Sequence, residues 1–177
     1  MKRTLSFVVA LLAMAGSYAQ NSLTIANTEI PQGGEADLTI LYTFDAEDYY
    51  GGYDFYLTLP DGVSIVRDDK GRAVKTLGAC HEETHSFSSN YSEADQSEIV
   101  TCFSSEGDVL SGSSGQLITF KVKADATLEV GTVLNAKLQN IHLGTKDAVS
   151  KDVAEYPFTI TIGEPADTRI VIDEDAL

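Results

Sequence analysis

Apolar and polar residues alternate with a period of two along most of the chain. The alternation is cleanest over 51–59, where Tyr53, Phe55, Leu57 and Leu59 fall on one side and Asp54, Tyr56 and Thr58 on the other. That is the pattern of a half-buried β-strand. Pro60-Asp61-Gly62 ends it, because proline has no N–H for a ladder and glycine accepts positive φ, and 63–66 starts a further strand. The same period predicts strands at 22–26, 36–44, 73–77, 84–90, 98–104, 116–123, 132–143 and 156–162. Turn residues at 31–34 and 68–71, a polar loop at 91–97 and a Gly/Ser-rich loop at 106–115 separate them. The run 132–143 is long enough for one strand with a bend or bulge. Helical periodicity is almost absent after residue 20. The expectation is an all-β domain, a β-sandwich of about nine strands with jelly-roll topology.

Residues 1–19 depart from this pattern. Lys2 and Arg3 precede an apolar run, Leu5 to Ala15, and Ser17-Tyr18-Ala19 places small residues at −3 and −1 before Gln20. This reads as a signal peptide, and the apolar run is shorter than the ~20 residues that span a bilayer. The division expected is a signal peptide over 1–19, one domain over 20–163, and a linker or tail over 164–177 that could open a further module. Within that tail, 168–173 is one more alternating run. The location implied is outside the cytoplasm: extracellular, cell-surface or periplasmic, with no membrane insertion.

Charge narrows the partners. The 177 residues carry 12 Lys and Arg against 27 Asp and Glu, a formal charge of −15, and loss of Lys2 and Arg3 takes it to −17. Such a surface repels nucleic acid and anionic membranes. Acidic loops can hold Ca²⁺, but that needs converging oxygens, which a charge count does not reveal. The two cysteines, Cys80 and Cys102, predict a disulfide in an exported chain; separate buried thiols are the alternative.

His81-Glu82-Glu83-Thr84-His85 matches H-E-x-x-H, the pattern of zinc metalloproteases. That chemistry needs a helix to bring both histidines to one metal, and the flanks here favour strand or loop. In an extended strand the two would stand ~13 Å apart. The match is read as a coincidence in a polar loop. Cys80, His81, His85 and Cys102 are also zinc-ligating residue types, in competition with the disulfide. His142 falls in a strand, where it is expected satisfied or exposed. No G-x-S-x-G elbow and no distinctive carboxylate pair occurs, so no catalytic residue, cofactor or metal is assigned and the chain reads as non-catalytic.

Taken in order, the Gly-rich turn 31–34 before the strand 36–44, the Tyr53-Asp54-Phe55-Tyr56-Leu57 strand, Gly62-Val63-Ser64-Ile65-Val66, and Gly115-Gln116-Leu117-Ile118-Thr119-Phe120-Lys121-Val122-Lys123 resemble the cohesin family and its relatives among carbohydrate-binding-module-like sandwiches. The resemblance implies a jelly roll that binds a protein, a dockerin-like module or another surface protein, in adhesion or in assembly of polysaccharide-degrading complexes. It places the partner on the outward face of the 51–59 strand and the hairpin 84–104. The residues implied are Asp54, Tyr56, Thr58, Ser86, Ser88, Asn90, Thr101 and Phe103. A glycan is the alternative ligand, stacking on Tyr49, Tyr50, Tyr56 and Tyr91, since tyrosine offers a flat apolar face and a hydroxyl. The absence of Trp argues against a planar crystalline polysaccharide.

Overall fold

The computed structural model describes residues 21–45 and 48–166. The expected signal peptide and the alternating run 168–173 lie outside the described residues.

Every regular element among the described residues is a strand: β1 (Ser22–Ile25), β2 (Thr28–Pro31), β3 (Glu35–Thr43), β4 (Tyr50–Thr58), β5 (Val63–Ile65), β6 (Lys75–Leu77), β7 (His85–Ser92), β8 (Ser97–Ser104), β9 (Ser114–Ala124), β10 (Val133–Thr145), β11 (Ser150–Val153) and β12 (Tyr156–Gly163). They form two sheets. The smaller has the order β1-β3-β9-β5, with β6 following β5 along the same edge of β9. The larger has the order β2-β12-β10-β4-β8-β7, with β11 on the edge of β10. The path crosses repeatedly between the sheets, as a jelly roll requires, so the all-β sandwich expectation holds.

The strand count is twelve among the described residues, not about nine. Two of the additions are short edge strands. β2 ends on Pro31 and pairs in parallel with β12, an edge position that tolerates a residue without an N–H. β11 pairs antiparallel with β10 and buries none of its residues fully. Neither has enough alternation to show a period. The Pro31–Gly34 turn follows β2 as expected, with Gly34 N–H donating to the Pro31 carbonyl at 2.8 Å and Gly33 at φ 67°.

Parity decides the core. Leu38, Ile40 and Tyr42 of β3, Tyr53, Phe55 and Leu57 of β4, Val100 and Cys102 of β8, and Ile118, Phe120 and Val122 of β9 are all buried between the sheets. So are Phe158, Ile160 and Ile162 of β12. Each such side chain withdrawn from water contributes about 1.5–3 kcal/mol before chain entropy is counted. In β10 the buried positions change phase, from Ala136 and Leu138 to Ile141 and Leu143. A register shift between Gln139 and His142, with Asn140 at φ 49°, inserts the extra residue. This is the bend or bulge expected in 132–143.

The two ends of the sandwich are built differently. At one end Tyr42, Phe44 and Tyr50 pack as a chain of rings with centroids 4.5 and 4.9 Å apart. At the other, the Pro60-Asp61-Gly62 turn closes with Val63 N–H on the Pro60 carbonyl at 3.0 Å and Gly62 at φ 81°.

Candidate functional site

The pairings of β7, β8, β4 and β10 fix which side chains share the outward face of the larger sheet. Opposed residues of an antiparallel pair project to the same side. Asp54 opposes Thr101, which opposes Ser88, and Tyr56 opposes Ile99, which opposes Asn90. Gly52 opposes Phe103, which opposes Ser86. The structure therefore brings Asp54, Tyr56, Ser86, Ser88, Asn90, Thr101 and Phe103 onto one surface, with Phe103 54% exposed and Tyr56 partly exposed. Thr58 lies at the margin of that face. Its hydroxyl accepts from Gln139 Nε2 at 3.0 Å and donates to Ser97 Oγ at 2.8 Å, because the Ser97 proton goes to the Asp95 carbonyl. That hydroxyl is occupied by the fold.

Several residues of this face went unassigned. Ile99 fills the row between Tyr56 and Asn90. Beyond β4, β10 adds Lys137, Gln139 and His142, opposite Thr58, Tyr56 and Asp54 respectively. The signal for them is the phase change of apolar positions across Asn140, which turns His142 outward. Beside Phe103, a hollow of about 340 Å³ opens over Gly52 and Gly144. A methyl at Gly52 would stand 2.4 Å from the Cys102 carbonyl oxygen, so the close approach of β8 requires glycine there.

His142 is the one titratable switch on this surface among the described residues. Its Nδ1 lies 2.8 Å from Asp54 Oδ1 and its Nε2 3.6 Å from Asp152 Oδ1. The hydrogen bond to Asp54 raises its pKa above the usual value, aided by the charges of Asp54 and Asp152. His81 moves the opposite way: burial lowers its pKa, with the nearby His85 as a lesser cause. A proton NMR titration should order them as His142 above the unperturbed value of about 6.5 and His81 below it. The stability that His142 adds is fully present below its unfolded pKa and fades as pH rises through its higher folded pKa. It is small, since the side chains of His142 and Asp54 are 41% and 43% exposed. The contribution of His81 has the opposite sign and is lost as pH falls through its lowered folded pKa. Coincident titration of the two histidines would contradict these environments.

The tyrosines do not form one sugar-stacking surface. Tyr50 is 1% exposed and its hydroxyl donates to Asp48 Oδ2 at 2.6 Å, so its ring belongs to the core. Tyr49 and Tyr91 are exposed but lie at opposite ends of the sandwich. Tyr49 precedes the start of β4 beneath Lys146, whereas Tyr91 opposes Glu98, which opposes Leu57 near the end of β4. Tyr56 projects from the middle of the face, apart from both.

The cysteine expectation also needs correction. Cys80 and Cys102 are both buried and both free, so the predicted disulfide is not formed. Cys80 Sγ donates to the Gln116 carbonyl at 3.7 Å, while the Tyr42 hydroxyl donates to the Ser111 carbonyl at 2.8 Å and the Tyr53 hydroxyl lies 3.0 Å from His81 Nε2. Burial pushes both thiols up, Cys102 to about 11, the reverse of a reactive or metal-ready thiolate. Denatured without reductant, the protein should titrate two thiols per chain; a value of zero would restore the bridge.

The H-E-x-x-H stretch is a turn, not a helix and not an extended strand. His85 N–H donates to the Glu82 carbonyl at 3.0 Å, which folds the two imidazoles to 5.7 Å between centroids, far closer than the ~13 Å of a strand. His81 Nδ1 donates to the Gly78 carbonyl at 3.0 Å, so its Nε2 accepts from the Tyr53 hydroxyl at 3.0 Å. His85 Nδ1 accepts from the Glu82 N–H at 3.0 Å, and its Nε2 is buried without a partner among the described residues. Both rings are tied into the fold by these contacts. Among the described residues no three His, Cys, Asp or Glu side chains converge in a metal-holding arrangement.

No protein-family model and no curated protein sequence matches the chain. Solved structures do. A non-cellulosomal cohesin from the hyperthermophilic archaeon Archaeoglobus fulgidus aligns with a TM-score of 0.59 at 18% identity, covering 81% of this chain and 91% of that one. The structure of a type I cohesin–dockerin complex from Clostridium thermocellum aligns with a TM-score of 0.65 at 12% identity, over 81% of this chain and 99% of the other. A type III cohesin module from a cell-surface anchoring scaffoldin of Ruminococcus flavefaciens aligns with a TM-score of 0.58 at 13% identity, over 90% and 97%. The fold is that of cohesin modules.

Proposed function

We propose that this chain is an exported, non-catalytic binding module that holds a protein partner on the outward face of β7-β8-β4-β10. The partner is a dockerin-like module or another surface protein, held in adhesion or assembly. The observation that carries the reading is the face itself. An exposed Phe103, a partly exposed Tyr56 and Ile99 stand among Ser86, Ser88, Asn90 and Thr101 on one contiguous surface. An apolar centre among small hydrogen-bonding side chains is the make-up of a protein interface. The hollow over Gly52 and Gly144 offers a seat for one side chain of the partner. Neighbours of the same fold include cohesins solved with dockerins bound, which supports the same reading. Export rests on the n-region, apolar run and small-residue cleavage pattern of 1–19.

The test is capture from the secreted proteins of the source organism on immobilised domain, with a glycan array run in parallel. A protein retained by wild-type domain and released by substitutions on this face is the expected result. Retention that survives every face substitution would refute it.

A further inference from the structure

The end of the sandwich opposite the Tyr42-Phe44-Tyr50 rings is open. A cavity of about 720 Å³ lies there, bounded by the loop from β4 to β5, the start of β8 and the end of β7. That is within the ~300–1,000 Å³ range of small-molecule sites. Its apolar wall is Leu57, Val63 and Ile65. Glu98 projects inward from β8 and is only 4% exposed. Both its carboxylate oxygens accept from Arg67 Nη2, at 2.7 and 2.9 Å, and Ser89 Oγ also donates to it. A charged pair therefore stands where the other end has aromatic rings.

The pair leaves hydrogen-bonding capacity in the cavity. Arg67 spends Nη2 on Glu98 and one Nη1 proton on the Gly71 carbonyl at 3.2 Å, and its Nε–H has no partner among the described residues. Tyr91 stands at the mouth, 54% exposed, with its hydroxyl on Gln96 Oε1 at 3.3 Å. Gln96 is one of three non-glycine residues with positive φ among the described residues, at 49°, and its Nε2 donates to the Glu93 carbonyl at 2.6 Å. The turn thus positions both the ring and an amide. Asn135 lines the cavity from β10, and its side-chain amide has no partner among the described residues.

We propose that this cavity is a second binding site, distinct from the protein-binding face, and that it takes a short neutral saccharide. An aromatic face beside planar amide, guanidinium and carboxylate groups matches a sugar ring, with its apolar C–H face and in-plane hydroxyls. The charge of −15, with Asp61 on the lip, disfavours acidic sugars.

The experiment is an amide NMR titration of the isotope-labelled full chain with cellobiose, xylobiose and mannobiose, and with digalacturonate as the acidic comparison. Saturable shifts at Arg67, Tyr91, Gln96 and Asn135 with at least one neutral disaccharide are expected. Tyr91→Ala should weaken that binding roughly tenfold, through loss of the stacking face and its hydroxyl contact. The residue is exposed, so thermal unfolding should stay that of wild type; Asn135→Ala gives a second weakened variant without touching the ion pair. Thr101→Arg, on the protein-binding face, should bind the sugar as wild type does. The proposal is overturned if no neutral disaccharide gives saturable shifts, if digalacturonate alone does, or if the shifts centre on Tyr56 and Thr101.

Discussion

Phe55→Ala should destabilise the domain by about 3–5 kcal/mol, the range for emptying a fully buried aromatic site. Phe55 has no exposed surface, stacks on Tyr53 with ring centroids 5.9 Å apart and opposes Val100 across the β4–β8 pair. The cavity cannot collapse easily, because the flanking positions belong to hydrogen-bonded strands on both sides. For a domain of this size the melting temperature should fall on the order of 10 °C. One position along, Tyr56→Ala should cost under about 1 kcal/mol, since its ring projects from the outward face and fills no core volume. Urea or thermal unfolding of the two variants side by side reads the parity of β4 directly. Equal losses would mean that the strand is not half-buried in this register.

The second large effect is on partner binding. Thr101 sits in the middle of β8, with Asp54 on one side and Ser88 on the other. Thr101→Arg raises a long charged side chain from the centre of the face while leaving the buried row of Val100 and Cys102 untouched. It should weaken partner binding about 30-fold or more, the loss expected when about 2 kcal/mol of central contact is removed. Phe103→Ala tests the apolar part of the same surface and should act in the same direction. Both positions face outward, so unfolding should change by less than about 1 kcal/mol.

What the sequence revealed follows from how regular each element is. β4 alternates without a break from Tyr53 to Thr58, so its inward and outward sides there could be read residue by residue. The hairpin of β7 and β8 kept the expected register, which is why Ser86, Ser88, Asn90, Thr101 and Phe103 share a surface with Asp54 and Tyr56. β10 does not keep one phase, because Asn140 inserts a residue, and Gln139 and His142 were hidden by that slip. β2 and β11 are too short to show a period. The cysteines misled for another reason. An even count suggests a bridge, but nothing in the spacing says that each thiol is buried free in the core, with Cys80 donating to the Gln116 carbonyl. The polar loop read at 81–85 is a turn, and its bond from His85 N–H to the Glu82 carbonyl, which no period signals, brings the two histidines together. Tyr50 and Tyr56 have the same parity, but the register shift of β4 between Gly52 and Tyr50 turns Tyr50 inward and leaves Tyr56 outward.

On the proposed function, one sheet face holds a protein partner. The most direct test is quantitative capture from the secreted proteins of the source organism on four immobilised forms: wild type, Thr101→Arg, Phe103→Ala, and Thr119→Arg. Thr119 belongs to β9, in the other sheet, and opposes Thr39 of β3. A protein should be retained by wild type and Thr119→Arg and lost from both Thr101→Arg and Phe103→Ala. Retention by all four forms, or loss from Thr119→Arg alone, would contradict the proposed function.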